Sequence, residues 1–161
     1  MIELIIGLAI LSFGIIAVYS VFFPAITQTY NVSSRLTAVY LAQEGLEIVR
    51  NIRDNNFIAG NNWAQGLLSC NLGCQASYKA GTAQQQQADQ LAAFNPSQYL
   101  TLDADGFYSY SETGISTKFQ RNITITQELG TDILRVVSNV SWNFNGQPYN
   151  YQTDEYIYNW Y

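Results

Sequence analysis

The stretch MIELIIGLAILSFGIIAVYSVFFP, residues 1–24, decides the architecture of this chain. It sets one carboxylate, Glu3, at the head of an apolar run, and no further charged side chain appears before Arg35. Leu4 to Phe23 alone supplies about 20 residues, enough to cross the ~30 Å hydrocarbon core of a bilayer as a helix. A secretory signal would place a basic leader before such a run and a small-residue cleavage site after it, whereas here the helical pattern continues. Any processing is therefore expected to have happened upstream of this run. An acid in mid-hydrocarbon costs about 2.5–3.5 kcal/mol on insertion scales, although near a helix end it reaches the interface. If many such helices packed together away from lipid, Glu3 would need a cationic partner, and the α-amino group of another copy's first residue is the obvious one. Gly7, Ala9, Gly14 and Ala17 lie among the large apolar side chains and allow close approach of helix backbones. Pro24 cannot donate to the carbonyl of Ser20, and Val18, Tyr19, Val21, Phe22 and Phe23 are mediocre helix formers. That combination predicts a kink or an unwound stretch between Gly14 and Pro24, the milder alternative being a modest bend in a continuous helix.

Past Pro24 the pattern changes. Ala38, Leu41, Ala42, Gly45, Ile48, Val49 and Ile52 recur at the spacing of one apolar helix face, which predicts helix through about Arg53 with that face on a head domain. Leu36, Val39, Tyr40 and Leu46 widen the apolar surface, as either a broad core stripe or a second packing face. Glu47/Arg50 and Arg50/Asp54 stand at pairing distance on a helix surface. A helix from the start to about Asp54 would be about 80 Å long at 1.5 Å per residue, which suits a stalk or a filament core.

Composition narrows the function. In 161 residues, charged side chains make up 12%, the net charge is −5 and the basic residues are scattered, so no electrostatic footprint for nucleic acid is present. With no histidine and two cysteines, Cys/His zinc sites, Cys-His nucleophiles and the Ser-His-Asp triad are all excluded. No nucleophile and base pair stands out, so no enzyme and no cofactor is expected.

The head is expected to be strand-rich. NNFIAGNNWAQG is loop-like, and in SCNLGC a glycine lies between Cys70 and Cys74, which reads as a disulfide closing a short loop. GTAQQQQADQ reads as a polar surface loop with a short helix around Asp89 to Phe94. Strand signals follow in QYLTL, FYSYS, KFQRNITIT, DILRVVSNVSWNF and PYNYQTDEYIYNW, and Asn145-Gly146 marks a hairpin, predicting one antiparallel meander packed on the helix. Asp103-Ala104-Asp105-Gly106 resembles the start of a calcium loop, but the twelfth position is Gly114, so an Asp-Gly turn explains it more simply. Three sequons begin at Asn31, Asn122 and Asn139; Asn31 lies on the helix, leaving Asn122 and Asn139 as candidate glycosylation sites.

The opening MIELIIGLAIL and the continuation YLAQEGLEIVRNIRDNNF resemble the type IV pilin superfamily over roughly the first 57 residues, and the remainder only in architecture. That family's mature subunits open with an apolar helix carrying a glutamate near its start. In the usual pattern the glutamate is fifth, whereas Glu3 is third here. The resemblance implies an α+β pilin fold: an apolar helix over 1–34, membrane anchor before assembly and filament core after; an amphipathic helix over 35–55; a connecting loop over 56–97 with Cys70 and Cys74; and an antiparallel sheet over 98–161. It further implies cutting by a prepilin peptidase, polymerisation by an assembly ATPase from the inner membrane, and a helical homopolymer exposed as an extracellular fimbrium used in adhesion or motility. Glu3, Gly7, Gly14 and Pro24 would be the assembly residues, with Tyr or Trp near the C-terminus making head contacts. A minor pilin or a type II secretion pseudopilin has the same helix. A monomeric membrane-anchored module holding glycans or peptides on its Tyr-rich sheet is the reading from a different class.

Overall fold

The computed structural model describes residues 2–80, 91–111, 113–128 and 132–160. The chain divides into two compact units, residues 1–36 and 37–161. A single helix, α1 (Ile2–Ile58), runs through the boundary, three residues beyond the predicted 55.

In the first unit α1 passes through Pro24 without interruption, so the unwound stretch considered above does not form. Proline removes one backbone donor, and the cooperative turns on either side keep the rest of the hydrogen-bond ladder. Hydroxyls are folded back onto the helix. Ser12 donates to the Leu8 carbonyl at 2.7 Å, Ser20 to Ala17 at 2.8 Å, Thr27 to Phe23 at 3.1 Å and Thr29 to Ala25 at 3.0 Å. Polar groups satisfied in this way suit surroundings without water.

The second unit begins with the rest of α1, which ends in a glycine cap. Gly60 takes φ +70°, its N–H reaches the Phe57 carbonyl at 3.0 Å, and the Asn61 N–H reaches Asn56 at 2.9 Å. Those two bonds satisfy carbonyls that the last turn would otherwise leave bare. A five-stranded antiparallel sheet has the order β2-β1-β6-β7-β8, where β1 is Cys74–Gln75, β2 Ala92–Ala93, β6 Phe119–Gln127, β7 Ile133–Phe144 and β8 Gln147–Tyr158. The meander expected from the sequence is present as β6, β7 and β8, with Phe144 opposite Gln147 and positive φ at both Asn145 and Gly146 in the turn.

The expected single sheet is instead two. β3 (Thr101–Leu102), β4 (Tyr108–Ser109) and β5 (Ile115–Ser116) form a separate small sheet of order β4-β3-β5. Each of these three strands is two residues long, and β3 pairs with β4 on one side and β5 on the other instead of joining the long strands. Ala92–Ala93, within the stretch read as a short helix, pairs with Cys74–Gln75 as a strand, while residues 81–90 lie outside the described residues.

The inward residues of β6 and β7 alternate with half-covered outward ones, and they meet α1 in two apolar clusters. One gathers Ala38, Leu41 and Ala42 with Leu100, Phe119, Val140 and Trp142. The other gathers Leu46, Ile48, Val49 and Ile52 with Trp63, Leu67, Ile123, Ile125, Leu134, Val136 and Ile157. Between them sits a polar belt. Arg121, fully buried, donates to the carbonyls of Leu41 at 3.0 Å and Ala76 at 2.7 Å and lies 3.1 Å from the Glu44 carboxylate. Gly45 lets the helix come this close: a Cβ there would overlap Ser138 Oγ and stand 3.1 Å from Arg121 Cδ.

Candidate assembly segment

From Ile2 to Tyr30 every side chain of α1 is exposed, although most are large and apolar. Glu3 lies in the first turn, also exposed. At 100° per residue Glu3, Gly7, Gly14 and Ala17 share one side of the helix with Ile10, so the single acid heads a face on which small residues flank one large one. A Cβ added at Gly7 or at Gly14 would meet no atom of the chain within 4 Å, so nothing within this chain calls for their small size. The segment is long and apolar enough to cross a membrane.

Residues 2–36 would extend about 52 Å at 1.5 Å per residue, against the ~30 Å of a hydrocarbon core. Beyond Pro24 the helix still exposes Ile26, Tyr30, Val32 and Leu36, at 41%, 65%, 60% and 53%. A bilayer that covered Leu4 to Phe23 would leave these four uncovered. Of the residues suspected of a second packing face, Leu46 enters the core and Tyr40 remains 62% exposed.

Other sequence-derived candidates fall in the head. Cys70 and Cys74 form a disulfide, and both are buried beside β6. Gly73, at φ +107°, is pressed so close to β6 that a Cβ would overlap the Asn122 amide. Asn122 and Asn139 face each other across β6 and β7, and the Oδ1 atoms of both are shut away from solvent in mid-strand. Asn31 lies within α1 with its own Oδ1 buried.

The Asp103 to Gly106 segment is a turn between β3 and β4. Asp103 Oδ1 accepts the N–H groups of Asp105 at 3.1 Å and Phe107 at 2.9 Å, and Gly106 takes φ +86°. The Phe107 N–H foremost, with the Tyr78 hydroxyl also contributing, holds the Asp103 carboxyl below its ordinary range. Its lone pairs therefore serve the turn.

The ion pairs on α1 also differ from expectation. Arg50 pairs with Glu47 as the spacing suggests and reaches across to Glu155 on β8, Nε to Oε1 at 2.9 Å. Asp54 is engaged by Arg53 at 2.7 Å instead. Glu155 comes first among the influences that raise the Arg50 pKa above its ordinary value. Arg121 belongs to no motif in the sequence. Its only signal is parity, since it shares the inward side of β6 with Phe119, Ile123 and Ile125.

No protein-family model, curated protein or solved structure matches the chain.

Proposed function

We propose that this protein is a structural subunit that polymerises through α1 up to Leu36 into an extracellular fibre of the type IV pilus kind, with the membrane as its holding place before assembly. The observation that carries this reading is the apolar surface of α1 between Ile26 and Leu36. A lipid anchor has no use for it, whereas a core of packed helices buries it together with Leu4 to Phe23. Glu3 and the face containing Gly7, Gly14 and Ala17 give such a core its register. A buried carboxylate is tolerable only opposite a cation, and small residues admit the neighbouring backbone. Contacts of this sort are heterologous and propagate without closing.

The test is electron microscopy of sheared surface material from cells making the full chain, with mass spectrometry of any fibres. Fibres containing this chain are expected. Glu3→Leu should lower their yield by roughly tenfold or more, the scale of losing one charge pairing at an interface. A chain found only as membrane-bound monomer, or a Glu3→Leu variant assembling as well as the parent, overturns the proposal.

A further inference from the structure

The head carries a rigid apolar knob and, elsewhere, an apolar hollow. We propose that the two meet between copies: Leu72 of one subunit seats against Phe57, Ile58 and Trp160 of the next. This inference rests on the fibre reading above and adds a head-to-head contact to it.

The knob is built by covalent and backbone restraint. Leu72 lies inside the Cys70–Cys74 disulfide loop and is 91% exposed, while both cysteines and the preceding Leu67 are buried. The Gly73 N–H donates to the Cys70 carbonyl at 3.1 Å, and the Gly73 carbonyl accepts from the Phe94 N–H at 3.1 Å. Gly73 is also pressed on the Asn122 amide, so the loop has little backbone freedom left. A lone exposed leucine on a mobile turn would be unremarkable. One held outward on a clamped loop loses little conformational entropy when it is covered. The sequence around it, LSCNLGC over 68–74, contains no charge that burial would strand.

The hollow has a volume of about 520 Å³ and is lined by Asp54, Phe57, Ile58 and Trp160. Ile58 is 85% exposed and Trp160 70%, so its rim is apolar and uncovered. The single charge in its wall is already matched: Asp54 is held by Arg53, whose guanidinium lies 4.8 Å from the Trp160 ring centroid. That stacking also fixes the indole as one wall. A neutral knob and a hollow with its charge satisfied are compatible; a charged partner would leave one side unpaired.

Position favours a second copy as the occupant. Leu72 adjoins β1, near one edge of the five-stranded sheet, and Trp160 follows β8, the opposite edge. One molecule therefore presents the two halves of the contact on different sides. A self-complementary patch gives closed dimers, whereas two different patches give a head-to-tail series, as a fibre requires.

Leu72→Asp and Ile58→Lys, made singly and together in the full chain, test the contact by fibre yield, with the melting temperature of the head as the control for folding. Both positions are exposed, so melting should not change. Each single change should cut the yield roughly tenfold, the effect of spoiling one well-buried anchor. The double variant, with its new anion opposite its new cation, should recover most of the parental yield. Singles without effect, or a double no better than the singles, overturn the contact and leave the fibre reading standing. A parent that forms no fibres overturns both.

Discussion

Residues 2–30 and 37–58 belong to the same helix, yet their side chains meet opposite conditions. In the first stretch Ile, Leu, Val and Phe stand exposed, and Gly7 and Gly14 face open space. In the second, Ala38, Leu41, Ala42, Val49 and Ile48 are sealed against a sheet, and Gly45 is pressed on Ser138 and Arg121. Backbone conformation is the same in both, so propensity does not distinguish them. What differs is whether the chain supplies its own cover. The second stretch has a partner in β6, β7 and β8, and the first has to find one outside the chain, in lipid or in other protein.

That contrast can be broken most severely at Arg121. Arg121→Ala leaves the Leu41 and Ala76 carbonyls without their buried donor and should destabilise the head by about 2–6 kcal/mol, about 1–3 for each, read by denaturant unfolding. A loss below about 1 kcal/mol would mean that the polar belt is incidental to the packing of α1. Next in size is the disulfide. Closing a five-residue loop restrains the unfolded chain by about 2 kcal/mol in the entropy model, so Cys70→Ser with Cys74→Ser should cost about that much. Two free thiols titrating in the unreduced parent, against none in the double variant, would disprove the bond itself. The smallest effect sharpens the comparison directly, through the same substitution in two places. Gly14→Ala should leave the head's melting temperature unchanged. Gly45→Ala should lower it, since overpacking of about 1–3 kcal/mol opposes the gain of about 1 kcal/mol from better helix propensity. Equal behaviour at the two glycines would remove the distinction drawn above.

Much of this was legible in the residues. The apolar run, the change of period after Pro24, the Asn145-Gly146 hairpin and the cysteine loop all rest on local chemistry, and each appears where the sequence places it. Partners distant in sequence were not legible. Helix spacing pairs Arg50 with Glu47, which it keeps, and with Asp54, four residues on, whose place is taken by Glu155 across 105 positions. QYLTL and FYSYS read as strands, but which strands they pair with does not show in the sequence: they join each other and Ile115–Ser116 in a second sheet, and that pairing is a contact between segments.

The sequence by itself determined that a long helix would form, that its leading half would be greasier than water tolerates, and that strands with a period of two would follow. Those features depend on each residue and its near neighbours, and no distant contact is needed to specify them. Only the tertiary structure decided which inward residue would be an arginine's cradle, which glycine would carry the close approach of helix to sheet, and which leucine would be held outward on a clamped loop. Each of these depends on distances between segments far apart along the chain, and such distances exist only once the chain has closed around its core.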